Sequence, residues 1–255
     1  MHCQALCDRL DDELDTAAYA EIDASANGLQ VGSGQREVDH VAVAVDAAVE
    51  TIERAAAVGA DLLVTHHGIA FDGIERVTGT HYQRLAALFE GDLSLYVSHL
   101  PLDGHGEFGN AAGVADLLDL TDRAPFGTLG GEPVGQQGTL AEPCSIEALC
   151  DRLRPHLDTG GQEIQTLPFG PEQVRDVAIV TGSGVDFLDE AVEAGADVLV
   201  TGEGKQYIYH EAREQGVHVV LGGHYATETF GVRALADLVA DWGFETTFVD
   251  CPTGL

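Results

Sequence analysis

The stretch LLVTHHGIAF, residues 62–71, indicates the fold class of this chain. Its apolar beginning is typical of a short buried strand, and helix-forming residues precede it. The pattern therefore favours a parallel strand in an α/β sheet. Because open α/β folds bind ligands at the carboxyl ends of their strands, His66 and His67 occupy a position suited to ligand binding. Two imidazoles at this point could hold one metal ion each, or two metal ions side by side.

Further helices and strands alternate on both sides of this stretch. Asp46 is a suitable N-cap for the helix that follows it, and Gly59 is a suitable residue to end that helix. The pattern predicts helices over 3–14, 47–58, 80–90, 107–118, 145–156 and 206–215. It predicts strands over 29–31, 41–45, 62–65, 93–97, 135–140, 163–167 and 217–221.

Two parts of the chain repeat each other. GADLLVT at 59–65 corresponds to GADVLVT at 195–201, and VDHVAVAV at 38–45 corresponds to VRDVAIVT at 174–181. Both pairs have the same separation of 136 residues. A register kept across the intervening helix indicates a duplicated β-α-β-α-β unit.

The repeat predicts an α/β fold with two internally duplicated repeats and mostly parallel central strands. Residues 123–171 are richer in glycine and proline, and we expect them to form a small inserted subdomain. The expected division is therefore 1–122 for the first repeat, 123–171 for the insertion and 172–255 for the second repeat. We expect the second repeat to pack with the first as one unit.

Polar clusters follow the predicted strands of both repeats. In the first repeat they are His66-His67 and His99 with Asp103; in the second they are Glu203 with Lys205 and His224 with Glu228. Imidazole and carboxylate ligands suit Zn, Fe, Mn, Co or Ni.

Five of these residues form a candidate ligand set: His66, His67, Asp103, His224 and Glu228. Five ligands exceed what one catalytic zinc ion takes from a protein. They suit two metal ions, which at about 3.5–4 Å separation lower the pKa of a shared water. The spacing of His224 and Glu228 places both on one face of a helical turn. We expect a loop to present Asp103, because Pro101 precedes it.

Three other residues are candidates for catalysis. His99 could be a third imidazole ligand or an acid–base group, and His105 could also transfer protons, because imidazole titrates near neutral pH. Lys205 is the single lysine of the chain and could bind a phosphate group as a point charge. Glu203 could be structural, capping the turn after its strand.

The composition limits the possible partners and the cellular location. The chain carries 43 acidic and 12 basic residues, a net charge of −31, which repels nucleic acid and anionic membranes. Such an acidic surface destabilises the fold by self-repulsion at ordinary salt. Salt near 1 M shortens the Debye length to about 3 Å and screens most of this repulsion, so the acidity suggests a halophile. No signal peptide or membrane-spanning run is visible, so we expect a cytoplasmic protein. The five cysteines contain no C-x-x-C pair, so we expect free thiols without a structural role and no zinc or iron–sulfur site built from them.

The chain resembles the Nif-three-like family (Ngg-one-interacting factor three-like), also known as type 2 GTP cyclohydrolase I. The matching motifs are NGLQVG at 27–32, ADLLVTHH at 60–67, HLPLD at 99–103 with GN at 109–110, TGEGK at 201–205 and GHYATE at 223–228. They cover nearly the whole chain outside 125–170. One departure is Gln206-Tyr207, because some relatives carry a histidine just after the lysine.

The resemblance implies two intertwined α/β repeats and a two-metal site. It places the metal ligands at His66, His67, Asp103, His224 and Glu228, with Glu228 bridging the two ions. It also implies a ring-shaped homo-hexamer whose sites face an internal cavity.

Two functions are expected from these features. The first is a metal-dependent hydrolase acting on a small substrate; the family name suggests GTP, whose purine C8 would be attacked by water with release of formate. The second is a non-enzymatic metal-binding, metal-delivery or regulatory interaction protein. The ligands alone do not distinguish these functions, because a storage site and a catalytic site can share the same side chains.

Overall fold

A computed structural model describes residues 1–255. The fold is mixed α/β, and the chain divides into two compact units. Unit 1 contains Met1–Leu102 and Val232–Cys251, and unit 2 contains Asp103–Gly231 and Pro252–Leu255. The chain thus leaves unit 1 after Leu102 and returns to it near the C-terminus. No helix combines the length and the apolar character needed to cross a membrane.

The helices and strands alternate along most of the chain. The strands are β1 (Gly28–Val31), β2 (His40–Asp46), β3 (Leu62–His67), β4 (Ser94–Val97), β5 (Thr121–Leu129), β6 (Glu132–Cys144), β7 (Gln165–Leu167), β8 (Val174–Ile179), β9 (Val198–Thr201), β10 (His218–Leu221) and β11 (Glu245–Phe248). The α-helices are α1 (Cys3–Glu13), α2 (Val49–Ala57), α3 (Gly79–Glu90), α4 (Leu100–Gly104), α5 (Asn110–Leu117), α6 (Ile146–Leu153), α7 (Leu188–Glu193), α8 (Ile208–Gln215), α9 (His224–Thr227) and α10 (Thr229–Asp241).

Unit 1 is built on a five-stranded sheet in the order β1-β4-β3-β2-β11. Strands β4, β3, β2 and β11 are parallel to one another, and β1 is antiparallel at the edge. Strand β3 lies at the centre, and its residues from Leu62 to His66 are buried. This explains its continuous apolar run, since strands covered on both faces do not alternate. Leu63, Ile52 and Leu88 belong to the core of this unit.

Unit 2 contains a six-stranded sheet in the order β5-β6-β8-β9-β10-β7. Strands β8, β9 and β10 are parallel, while β6 and β7 pair antiparallel with β8 and β10. The segment 123–171, expected to be an inserted subdomain, supplies most of β5 and all of β6 and β7 to this sheet. Leu149, Ile179 and Val198 belong to its core.

The division of the chain differs from the predicted one. Strand β11 pairs in parallel with β2, so residues 232–251 belong to unit 1 and not to the second repeat. Helix α5 packs through Ala111 and Val114 into the core of unit 2, so the first unit ends at Leu102 and not at 122.

The duplication recurs in the hydrogen bonds. The carboxylate of Asp61 accepts hydrogen bonds from the backbone N–H groups of Asp39 and His40 at 3.0 and 3.1 Å. Its counterpart in the second repeat, Asp197, accepts hydrogen bonds from the backbone N–H groups of Arg175 and Asp176 at 2.7 and 3.0 Å. These two residues lie 136 positions after Asp39 and His40. The same side chain thus joins the start of the second parallel strand to the start of the first in both units.

Two local expectations were wrong. Asp46 does not cap a helix: α2 begins three residues later, and the Asp46 carboxylate lies 2.9 Å from Nδ1 of His67. Asp103 is presented by the short helix α4 and not by a loop. Pro101 is tolerated in the first turn of that helix, because an N–H group there would have no partner within the helix.

We predict that Asp61→Ala destabilises the protein at pH 7 by about 1–3 kcal/mol, because it removes an acceptor shared by two backbone N–H groups. Burial alone raises the pKa of Asp61, but these N–H groups and Arg36 outweigh it and lower the pKa. The stabilisation is therefore present above the unfolded-state pKa and lost as pH falls through the folded-state pKa.

Urea unfolding at a series of pH values checks this prediction. Glu53→Ala, an exposed change on α2, is the control and should leave the free energy of unfolding nearly unchanged. A pH-independent loss in Asp61→Ala, or a loss no larger than that of the control, would contradict it.

Candidate metal-binding sites

Strand β3 ends in His66 and His67, the histidines predicted to be metal ligands. His66 is fully buried, and His67 is partly buried. His99 follows β4, the neighbouring strand, by two residues. The ring centroid of His66 lies 4.6 Å from the ring centroid of His67 and 5.0 Å from that of His99. One ligand nitrogen of each ring lies within 4.8 Å of the other two, so these three residues could hold a metal ion.

Each of the three imidazoles is held by its Nδ1 atom. Nδ1 of His66 lies 3.0 Å from the backbone carbonyl oxygen of Ser98. A carbonyl oxygen can only accept, so this Nδ1 carries the proton and the neutral ring has its lone pair on Nε2. Metal-binding histidines commonly donate their other N–H to a carbonyl or a carboxylate, which fixes the tautomer and the ring orientation.

The other two histidines of this cluster, His67 and His99, are held by carboxylates. Nδ1 of His67 lies 2.9 Å from Asp46, and Nδ1 of His99 lies 2.8 Å from Asp23. In the neutral rings these contacts again place the proton on Nδ1 and the lone pair on Nε2. The three rings therefore share one arrangement, although they come from two neighbouring strand ends.

Asp23 fixes the backbone as well as the ring of His99. It accepts hydrogen bonds from the N–H of Leu100 at 2.9 Å and from the Asn27 amide at 2.8 Å. Asn27 in turn accepts from the N–H of His99 at 2.8 Å. Burial alone raises the pKa of Asp23, but His99, Asn27 and the N–H of Ser25 outweigh it and lower the pKa to about 2. Asp23 is therefore ionised at neutral pH and can accept from the ring.

Unit 2 contains the remaining predicted ligands, which come from two short segments: Asp103 lies in α4, and His224 and Glu228 lie at the two ends of α9. Nε2 of His224 lies 3.1 Å from an oxygen of Glu228, so the four-residue spacing brings the two side chains together, as predicted. Asp103 has a carboxylate oxygen within 4.8 Å of one from Glu228. Asp103 and Glu228 are both buried. Two buried carboxylates this close together are typical of a site that takes up positive charge.

Glu203 holds the ring of His224. Its carboxylate lies 3.3 Å from Nδ1 of His224 and accepts a hydrogen bond from the hydroxyl of Ser183. Burial lowers the pKa of His224, but Glu228, followed by Glu203, outweighs it and raises the pKa to about 9. Glu203 therefore orients an imidazole, as Asp46 and Asp23 do in unit 1.

Asp103 is oriented by two neutral side chains. It accepts hydrogen bonds from the amide of Asn110 at 2.9 Å and from the hydroxyl of Thr181 at 3.2 Å. The oxygen of Asn110 accepts from the N–H of Gly231 at 2.8 Å. Asn110 therefore links the start of α5 to α10 and fixes one carboxylate between them.

Two glycines make room for His224 and Glu228. Gly182 follows β8 with φ +58°, and a Cβ at this position would lie 2.2 Å from an oxygen of Glu228 and 3.1 Å from Nε2 of His224. Gly202 follows β9, and a Cβ there would lie 2.7 Å from Cα of His224. A residue larger than glycine at either position would therefore occupy space that His224 or Glu228 needs.

Two of the predicted catalytic residues, His105 and Lys205, have other partners. Nδ1 of His105 accepts hydrogen bonds from the N–H groups of Glu107 and Phe108, and its ring stacks on Phe108. This arrangement supports the turn before α5. Lys205 forms an ion pair with Asp186, which also accepts a hydrogen bond from Tyr207.

The residues that orient the candidate ligands do not have the roles that the sequence predicts. Asp46 is not a helix cap, Glu203 contacts His224, and Asp23 is not among the predicted site residues. The sequence contains a signal for Asp46 and Glu203, because Asp46 ends β2 and Glu203 follows β9 by two residues. Nothing in the sequence alone relates Asp23 to His99, which is 76 residues away.

The fold and the donor groups define a class: duplicated α/β proteins with imidazole and carboxylate groups that could hold a metal ion at their strand ends. The chain belongs to the Duf34/NIF3 (NGG1p interacting factor 3) family, whose model matches residues 1–253.

Similar proteins match over nearly the whole chain. A protein of Halobacterium salinarum is 57% identical over 247 residues, covering 97% of each chain, and one of Pyrococcus abyssi is 41% identical, covering 96% of each. Both carry the name GTP cyclohydrolase 1 type 2 homolog. Among solved structures, the protein TTHA1606 from Thermus thermophilus has 37% identity and a TM-score of 0.89, and the ybgI protein, described as of unknown function, has 34% and 0.90. Each structural match covers all of both chains.

We predict that Gly182→Ala weakens divalent metal binding, because the added Cβ would displace Glu228. Gly195→Ala is the matched control: Gly195 also has positive φ, +79°, but a Cβ there would meet nothing within 4 Å. Both variants should lose about 1–2 kcal/mol of stability through backbone strain. Thermal unfolding and metal content per chain separate the two effects. Equal metal content in both variants would contradict the prediction.

Proposed function

We propose that this protein binds two divalent metal ions through His66, His67, Asp103, His224 and Glu228 and is a metal-dependent hydrolase of a small substrate. The observation that carries the proposal is the common arrangement of the imidazoles of unit 1. Each Nδ1 is held by a carbonyl or carboxylate oxygen, so each neutral ring has its lone pair on Nε2. The donors are nitrogen and oxygen only, which suits Zn, Fe, Mn, Co or Ni.

The carboxylates support the proposal independently. Asp103 and Glu228 are buried close to each other, and burying two ionised carboxylates without positive charge is costly. Glu228 is near both other ligands of its unit, which supports a bridging role for it. When bound, divalent metal ions would supply a water of lowered pKa and would polarise the bond to be hydrolysed.

His99 is the residue that we assign to proton transfer. Asp23 is ionised and holds its Nδ1, so Nε2 is the atom at which His99 would accept and release a proton. Asn27 fixes the backbone N–H of the same residue, which limits movement of the ring. His105 has a weaker claim to this role, because its Nδ1 already supports the turn before α5.

A purine nucleotide is the substrate that we favour. The relatives with 57% and 41% identity are named GTP cyclohydrolase 1 type 2 homolog, and Lys205 is the single lysine of a very acidic chain. In the proposed reaction one water molecule adds to C8 of GTP and the C8–N9 bond breaks, which opens the imidazole ring and leaves a formamide on N7. A second water molecule hydrolyses the C8–N7 bond and releases formate.

We predict that metal-loaded protein incubated with GTP in high salt releases formate. The control is His67→Ala, which removes a proposed metal ligand while leaving β3 in place. Formate is measured enzymatically, and the altered base is followed by its absorbance. Formate release by the wild type no greater than that by His67→Ala would overturn GTP as the substrate.

A metal-delivery or regulatory role is the second candidate, because the family description itself refers to an interacting factor. Metal exchange separates the two functions. A delivery protein should release its ions readily to an acceptor, whereas a catalytic centre should retain them through dialysis.

The acidic composition and the family resemblance support three further proposals. The protein is adapted to high salt, resides in the cytoplasm and assembles as a homo-hexamer. It binds neither nucleic acid nor membranes directly, because its net charge of −31 would repel both. Light scattering in molar salt would give the mass of the assembly relative to the 26.9 kDa chain.

The ligand assignment predicts different metal losses for single variants. If Glu228 bridges two ions, Glu228→Ala should lower the metal-to-chain ratio more than His66→Ala, which should mainly weaken one ion. His105→Ala should leave the ratio unchanged. Elemental analysis of the three purified variants tests the assignment. It fails if His105→Ala loses as much metal as Glu228→Ala, or if Glu228→Ala retains the wild-type ratio.

A further inference from the structure

Unit 2 contains a cavity of about 760 Å³ next to the candidate ligands of that unit. Ligand pockets in proteins usually measure about 300–1,000 Å³, so a small organic molecule would fit. Strands β7 and β10 and helix α8 contribute to its lining. Its apolar side chains include Leu167, Ile208 and Leu221, which come from these three elements.

The cavity borders on His224. Gly202, Glu203 and Gly223 line it, and Glu203 lies 3.3 Å from Nδ1 of His224. Gly223 directly precedes that histidine. A ligand in the cavity would therefore lie beside the segment that carries two of the proposed metal ligands.

Two side chains of the lining suit the two parts of a nucleotide. Tyr209 is 44% exposed, and its ring is held in a T-shaped contact with Phe169 at 5.1 Å. Aromatic rings of this kind stack on planar bases. Lys205, the single lysine of the chain, also lines the cavity.

The ion pair with Asp186 does not exhaust the binding capacity of Lys205. An ammonium group has three N–H donors, and the contact with Asp186 uses one of them. The pair instead keeps a long side chain in place. The amide side chains of Gln162 and Gln165 are also in the lining and could bond the edge of a planar base.

We propose that this cavity binds a nucleotide: the base packs on Tyr209 and the apolar side chains, and the phosphates bind Lys205. This inference rests on the proposed function, because it locates the substrate of the same site. The proposed hydrolase activity requires the metal ions, whereas binding to this cavity does not require them. Binding to metal-free protein therefore tests the inference by itself.

The probes are GTP, guanosine and inorganic triphosphate, titrated into metal-free protein by calorimetry. Tyr209→Ala should raise the Kd for GTP and for guanosine about tenfold, and Tyr209→Phe should bind both with the wild-type Kd. Lys205→Ala should weaken the binding of GTP and of triphosphate but not that of guanosine. Lys205→Arg should restore GTP binding. Leu167→Trp, which fills the cavity, should weaken guanosine as well as GTP. Phe89→Ala, an exposed change in unit 1, is the control.

The inference is overturned if wild-type protein binds neither GTP nor guanosine. It is also overturned if Tyr209→Ala and Leu167→Trp bind both probes as the wild type does. Nucleotide binding without formate release would contradict the proposed reaction but support the cavity. Formate release with an unchanged KM in Tyr209→Ala would contradict the cavity alone.

Discussion

The hydrogen bonds that hold the imidazoles by Nδ1 are the interaction on which the candidate site depends. A histidine can bind a metal ion through either nitrogen, and the choice follows from the partner of the other one. Here a carbonyl oxygen holds His66, and carboxylates hold His67 and His99. The fold provides one such partner for each ring, from a different segment each time. The sheet and its loops therefore act to fix tautomers as well as positions.

The two units use the same backbone differently. The positions of Asp46, His66 and His67 in unit 1 correspond, 136 residues later, to Gly182, Gly202 and Glu203 in unit 2. In unit 1 the strand ends supply imidazoles that could hold a metal ion. In unit 2 two of the three positions are glycines, and their missing side chains make room for His224 and Glu228, which come from a helical turn. A duplicated fold has thus produced two complementary kinds of strand end, one rich in imidazole and one open to carboxylate.

Much of the fold was predictable, because the apolar runs of β3 and β9 lie between glycines and recur at one constant separation. Groups that could hold a metal ion could be located for the same reason, since strand ends collect polar groups in α/β folds. What could not be predicted was long-range pairing. The sequence predicts Asp46 as a helix cap because a helix follows it, but its carboxylate contacts Nδ1 of His67 instead. Strand β11 joins β2 across about 200 residues, and no local pattern in the sequence specifies that pairing. Glu203 and Asp23 likewise acquire their roles only from contacts made in the folded chain.

Metal binding through the Nε2 atoms of His66 and His67 can be tested by anomalous diffraction from crystals of protein purified without a chelating tag or added metal. We expect two anomalous peaks per chain, with Nε2 of His66 and Nε2 of His67 in the coordination sphere. A single peak bound by Nδ1 atoms, or peaks only at surface carboxylates, would contradict it.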